Sequence, residues 1–398
     1  MTKSNDDAAV PPISLAALFL KFLRFGALAF GGPVAQIAMI RQALVTEERW
    51  ISTARFNRLL AVMQVLPGPE AHELCVHIGI MARGRLGGLL AGFGFMLPGL
   101  VLMLGCAWGY AAFIAGQPGL ASVLLGVQAV VIAIIVRAVW RIGSHVLIDR
   151  SLVIIAAVSV LATLGGVPFW VPLVAGGVAY ALGFRPVRAA AVATGGTLLG
   201  WMAMGEPLVV TASTALTASS QATILALFVA GLKGGLLTFG GAYTAIPYVR
   251  ADTVGRGWIS DGAFLDGVAI AGVLPAPLVI FGTFAGYQVG GWAGALAVTA
   301  GMFLPAFGFS MLLFERLEAL VEAPALHRLL DGIAAAVVGI IAATCVQLGL
   351  TTVERAPSTW PVAIIFAISL AIAWRWKSKL ATPVLLVMGG VCGWVLAM

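Results

Sequence analysis

The sequence predicts an all-α polytopic membrane protein made of two inverted-topology repeats, with broken helices or re-entrant hairpins at FGG and PGP/PAP motifs. Three observations carry that reading. Of the 398 residues 61% are hydrophobic and only 10% are charged, with a mean hydropathy of +1.04. Soluble domains carry about 25% charged residues, so this chain must place several apolar spans in lipid. Residues 28–69 recur, motif by motif, in residues 237–277. Within both copies, prolines and glycines interrupt apolar stretches at matching places. An exposed backbone break inside lipid is costly unless it lines a buried cavity, as it does in secondary transporters.

The apolar elements of the first half fall near 15–40, 56–80, 86–115, 118–142, 151–165, 167–183 and 189–204. Those of the second fall near 222–248, 262–289, 292–314, 326–350, 360–374 and 381–397. This divides the chain into a polar tail (1–14), a first membrane repeat (15–204), a linker (205–221) and a second repeat (222–398). Phe30-Gly31-Gly32 aligns with Phe239-Gly240-Gly241, an offset of 209, and Trp50-Ile51-Ser52 with Trp258-Ile259-Ser260, an offset of 208. Leu66-Pro67 aligns with Leu274-Pro275 at 208, and Leu97-Pro98 with Leu304-Pro305 at 207. A drift this small means a duplicated unit. Seven elements precede the second copy, and an odd number turns it upside down in the membrane. Charge agrees: Arg83 and Arg85 flank one turn, whereas the matching turn QVGGWAG has no charge, as expected of one cytoplasmic and one external loop. If the first two elements cross fully, Arg41, Arg49, Arg55 and Arg58 lie outside. If they are hairpins folding back at FGGP and PGP, these arginines become cytoplasmic, which the positive-inside bias favours.

The chemistry is expected at the interruptions. Adjacent glycines in Gly31-Gly32-Pro33 and Gly240-Gly241 permit backbone angles that other residues avoid. Gly68-Pro69 and Ala276-Pro277 break one helix and start another. A helix restarting inside the membrane aims its first amides and a positive dipole end at its surroundings, a site suited to an anion. Arg24 and Lys233 are equivalent, each six residues before its FGG. A cation at depth costs on the order of 3 kcal/mol, so both are expected to meet a counter-charge, and an anionic substrate would supply it. Lys21 is expected to snorkel. Glu70, Glu73 and His77 fall on one face of the helix begun by Pro69, with His72 elsewhere. They are candidates for carrying a coupling proton or simply cap a positive helix end. No acidic group stands at the matching positions of the second half, where Leu278, Phe281 and Ala285 occur. Ser52 and Ser260 read as N-caps, and Trp50 and Trp258 as interfacial anchors.

Several classes fall away. The four cysteines are scattered with no CxxC, so neither a disulfide framework nor a zinc site is implied. No Walker-type or dinucleotide fingerprint occurs. The net charge of +7 reports loop Lys and Arg and does not imply nucleic-acid binding.

The ordered set FGGP…RW-I-S…LPGP…LP, repeated as FGGAY…GWIS…LPAP…LP, resembles the chromate ion transporter family in its long two-domain form. The resemblance covers roughly 15–140 and 222–345. It implies a multi-pass bacterial inner-membrane protein that exports chromate and confers chromate resistance by secondary transport, with sulfate or another oxyanion as the alternative cargo. The family signatures fall on Phe30, Gly31, Gly32, Pro33, Pro67, Gly68, Pro69, Phe239, Gly240, Gly241, Pro275 and Pro277. Ala276, where the first half has Gly68, departs from strict symmetry. Besides the oxyanion, the expected partners are the lipid bilayer and, as an open option, a second copy of the chain in a homodimer. No cofactor is expected. A membrane-bound chromate reductase is the less favoured reading, because it would need a redox centre with no trace here.

Overall fold

The computed structural model describes residues 12–30, 32–117, 120–182, 195, 222–238, 242–312, 324–376 and 381–396, and every regular element among them is helical. The expected element at 189–204, the linker and Gly31, Phe239, Gly240 and Gly241 lie outside the described residues. The helices are α1 (Leu15–Ala27), α2 (Gly32–Arg41), α3 (Thr53–Val65), α4 (Glu70–Gly109), α5 (Ala121–Val146), α6 (Arg150–Leu164) and α7 (Trp170–Ala181). They continue as α8 (Ile224–Leu236), α9 (Ala245–Thr253), α10 (Asp261–Val273), α11 (Phe281–Leu312), α12 (Pro324–Arg355), α13 (Thr359–Arg375) and α14 (Ala381–Leu396). Among the described residues four stretches, 70–114, 121–146, 278–312 and 328–355, are long and apolar enough to cross a membrane.

Two compact units form, and each draws on both halves of the chain. The first comprises 1–111, 223–242 and 270–320. Its frame is two helix pairs, α1 on α4 and α8 on α11, joined through α4 and α11. The pairs are built alike. Ser14 caps α1 and Thr223 caps α8, each hydroxyl accepting the backbone N–H three residues on. Leu28 ends α1 at φ −105°, ψ 6°, and Leu237 ends α8 at φ −105°, ψ 9°. Gly26 lies so close to α4 that a methyl there would stand 2.3 Å from the Phe95 carbonyl oxygen. At Gly235 it would stand 2.3 Å from that of Met302. Such backbone approach is what small residues provide in a bilayer, where apolar packing alone gives no gain over lipid.

α4 and α11 each reverse direction. At about 1.5 Å per residue, a straight α4 of 40 residues would be about 60 Å long, twice the hydrocarbon core. It instead turns at Arg83 and Gly84 (φ 64°, ψ −163°), and α11 turns at Gly290 and Gly291 (φ 57°, ψ −147°). Both turn glycines take the left-handed region that disfavours a side chain. The arms then run antiparallel: Gly79 packs on Gly87, Val76 on Gly92 and, in α11, Gly286 on Gly294. The expected boundary between elements at 80–86 and 289–292 is therefore a tight helical hairpin.

The chain also reverses between α1 and α3. The Lys21 ammonium bonds the Glu48 carboxylate and lies 5.0 Å from the Trp50 ring centre. Twenty-seven residues of uninterrupted helix would separate Lys21 from Glu48 by about 40 Å. Lys21 thus holds a reversal closed instead of only snorkelling. Trp50 departs from expectation: at 1% exposure it belongs to the core with Leu18, Phe22 and Phe56, not to an interfacial belt. Its ring is the floor on which Lys21 rests. Ser52 and Ser260 do cap α3 and α10, accepting from Arg55 N at 3.3 Å and Ala263 N at 3.2 Å.

The second unit comprises 112–222, 243–269 and 321–398. α5 packs on α13 and α14, while α12 packs on α6 and α7, so each half's long helix lies against the other half's short ones. Gly126 meets Gly389, and Gly332 meets Gly176, at backbone contact. Polar groups pair across it: buried Gln128 donates to Asp266 at 3.0 Å, and half-buried Arg250 binds Asp261 at 2.7 Å and Gln347 at 3.2 Å. A cavity of about 420 Å³ between α5, α12 and α13 is lined chiefly by Ile132, Val136, Val346 and Phe366. Apolar walls leave a dianion's oxygens without donors, which excludes it as an anion site.

Candidate anion site at the helix breaks

The interruptions from both halves converge in the first unit. Gly68 N–H donates to the Thr238 carbonyl at 2.8 Å, tying the PGP loop of one half to the residue before FGG of the other. In the reciprocal direction Gln36, on the helix that follows FGGP, donates through Nε2 to the carbonyls of Ala276 and Ala29, each at 2.9 Å. Four motifs separated by up to 240 residues are thus laced together by backbone-directed bonds.

From this junction two half-helices depart, and both are encased. Every residue from Gly68 through Ile80 is buried, as is every residue from Pro275 through Gly286. Pro69 is the N-cap of the first arm and Pro277 that of the 3-10 turn leading into the second. Each proline has no N–H to lose and sets the chain for a helix start. The dipole ends of two buried half-helices therefore begin beside the laced loops, the arrangement that receives anionic groups in transporters with discontinuous helices.

The Gly68/Ala276 asymmetry has a packing explanation. Ala276 lies against Gly99, where an added methyl would stand 2.3 Å from the Ala276 Cβ. In the other copy the partners are exchanged: Gly68 faces Ala306, and a methyl on Gly68 would stand 3.4 Å from the Ala306 Cβ. Each contact has one glycine and one alanine, on opposite sides. Gly68 meets a second demand. Its φ is +152°, and the Glu73 carboxyl oxygen lies 2.4 Å from where a Cβ would be. The departure at Ala276 is therefore a compensated swap, with Phe281 in place of the acid.

Glu70, His72, Glu73 and His77 are all buried, at 8%, 0%, 0% and 3% exposure. Glu73 points back at Gly68, and among the described residues neither of its oxygens has a hydrogen-bond partner. The His72 ring stacks edge-on against Phe303 and Phe307, at 5.0 and 4.7 Å between centres. Of the two expected cations, Lys233 is half-buried on α8, and Arg24 is exposed, on the opposite side of α1 from Leu18, Phe22 and Phe25. Arg24 does not join the buried cluster. Two amides offered as donors, those of Gly68 and Ala276, are committed to Thr238 and Leu274 carbonyls. Gln36, Thr238 and Gly99 were not among the expected site residues. The signal for Gln36 was a lone amide in the apolar run PVAQIAMI; for Thr238 and Gly99 there was none beyond adjacency to a motif.

Broken helices that meet inside one helical unit are an arrangement used by membrane transporters. The chromate transporter family model matches residues 16–184 and 225–394, and the chain belongs to that family. The family match makes this chain a transporter and not an enzyme. It is 55% identical over 401 residues to a chromate transport protein of Pseudomonas aeruginosa, covering 99% of this chain and 95% of that one. A chromate transport protein of Cupriavidus metallidurans is 29% identical over 99% of this chain and 96% of the relative. A probable chromate transport protein of Synechococcus elongatus is 29% identical, over 96% of each. No solved structure gives a significant match.

Proposed function

We propose that this protein exports chromate from the cytoplasm across the bacterial inner membrane and so confers chromate resistance. The observation that supports this most is the lacing of Gly68 to Thr238 and of Gln36 to Ala276, beside the starts of two encased half-helices. In this reading residues 15–204 and 222–398 are inverted repeats. The matched caps of α1 and α8 and the matched reversals at Gly84 and Gly291 support the repetition. The reversal closed by Lys21 and Glu48 supports a re-entrant hairpin at FGGP.

The anion sits at the junction of Gly32-Pro33, Gly68-Pro69, Thr238 and Ala276-Pro277, with Gly31, Gly240 and Gly241 adjoining it in sequence. The first turns following Pro69 and Pro277 supply positive dipole ends. Lys233 adds charge from a half-buried position, and Arg24 attracts the anion from the open face of α1. Chromate is a dianion near neutral pH. Each charge crossing 100 mV is worth about 2.3 kcal/mol, so the potential alone drives a bare dianion outward by about 4.6 kcal/mol. Purified protein in liposomes, assayed for chromate and sulfate flux at fixed potential and pH gradient, tests the reading. Potential-driven chromate flux that sulfate fails to match is the expected result; sulfate flux without chromate flux would overturn it.

A further inference from the structure

We propose that Glu73 is a protonated hydrogen-bond donor to the bound oxyanion, so that anion and proton bind this site together. The inference rests on the anion being held at the helix breaks. Three observations lead to it. Glu73 has 0% exposure, its carboxyl abuts Gly68 at the break, and both its oxygens lack a hydrogen-bond partner among the described residues. An ionised carboxylate in that position is a buried charge with neither donor nor counter-ion, a costly arrangement. A carboxylic acid there costs less, and it has one O–H seeking an acceptor. An oxyanion at the break offers that acceptor, and a neutral acid can donate to an anion where a carboxylate would repel it.

Among the described residues no cation bonds the Glu73 carboxyl. The buried faces of α1 (Leu18, Phe22, Phe25), of α2 (Gln36, Ile37, Ile40) and of α11 carry no ionisable side chain. Ser310 of α11 donates to the Glu73 backbone carbonyl, at 3.5 Å, and not to its carboxyl. On its own arm, Glu70 stands one turn back and repels an ionised neighbour, while His72 is enclosed by Phe303 and Phe307. Arg55 of α3 acts on His77. Lys233 of α8 is half-buried and is the cation the anion itself uses. The second half has Phe281 where Glu73 stands, so the unit holds one such acid, not two. The proton comes from solvent or from hydrogen chromate, and in either case the loaded site contains one anion and one proton. The complex carries one negative charge fewer than bare chromate.

The test is chromate binding to the purified full-length protein at alkaline pH, where free chromate is a dianion, with proton uptake read by an indicator dye in weak buffer. Above the pH at which Glu73 ionises in the free protein, about one proton is taken up per anion bound and affinity falls about tenfold per pH unit; below it, the proton is already in place and neither is seen. Glu73→Gln, which keeps an N–H donor, binds several-fold more weakly and loses both the pH slope and the proton uptake; Glu70→Gln keeps both. Binding by the parent with neither proton uptake nor a falling affinity anywhere from neutral to strongly alkaline pH overturns this proposal and leaves the anion site standing. So does uptake that persists in Glu73→Gln. No chromate binding at any pH overturns the anion site and this proposal with it. The parent's proton count decides the matter even if the Glu73 variant fails to fold.

Discussion

Gly99→Ala is the substitution that most directly interrogates the laced loops. The added methyl would stand 2.3 Å from the Ala276 Cβ and 3.1 Å from the Ala276 Cα, too close for either to remain. The Ala276 carbonyl is held by Gln36 at 2.9 Å, so relief by moving the loop would stretch that bond. Overpacking of this kind costs about 1–3 kcal/mol. Ala276→Gly removes the opposing methyl at a cost of about 0.5–1 kcal/mol in chain entropy. The double variant reproduces, on the same sides, the arrangement found at Gly68 and Ala306. It should recover most of the loss, a coupling of about 1–2 kcal/mol. The assay is thermal unfolding in detergent of the parent, both single variants and the pair, with chromate flux measured in parallel. Additive effects, or a Gly99→Ala protein as stable as the parent, would refute the close contact.

Other expectations follow from the same geometry. Gln36→Leu leaves the Ala276 and Ala29 carbonyls unsatisfied in a buried site and should cost about 2 kcal/mol or more, with loss of chromate flux; parental stability would show that the bonds do not form. Gly84→Ala and Gly291→Ala each force a side chain into the left-handed region and should each lower stability by about 1–2 kcal/mol, measured by the same unfolding assay. Lys21→Met should cost no more than about 1 kcal/mol, because the Lys21–Glu48 pair is partly exposed, and should leave chromate flux near the parental level. Arg24→Ala and Lys233→Ala should each raise chromate accumulation in cells, Lys233→Ala the more strongly because it is the less exposed; unchanged accumulation in both would remove the cations from the site.

Much of this molecule is legible because its motifs are written twice in the sequence. Pro69, Pro277, Ser52 and Ser260 act locally, through missing N–H groups and capping hydroxyls, and so appear in the structure where the pattern placed them. The turn at Gly84 was readable as a boundary between arginines, though not as a hairpin, since its left-handed φ depends on Gly79 and Gly87 packing across it. Less could be read where tertiary context decides. Trp50 looked interfacial until Lys21 and Glu48 closed over it. Arg24 looked equivalent to Lys233 by register, yet the helix face it occupies is the open one. The exchange of Gly68 and Ala306 for Ala276 and Gly99 joins residues 177 and 238 positions apart, and no local pattern announces it.

The central claim is that chromate is bound where the breaks of both halves meet. Chromium's anomalous scattering locates the ion directly in crystals of the protein grown with chromate. The account predicts a single chromium peak among Pro69, Pro277 and Gln36, within hydrogen-bonding reach of the Glu73 carboxyl. A peak within the second unit, beside Gln128 and Asp266, with none at the breaks would contradict it.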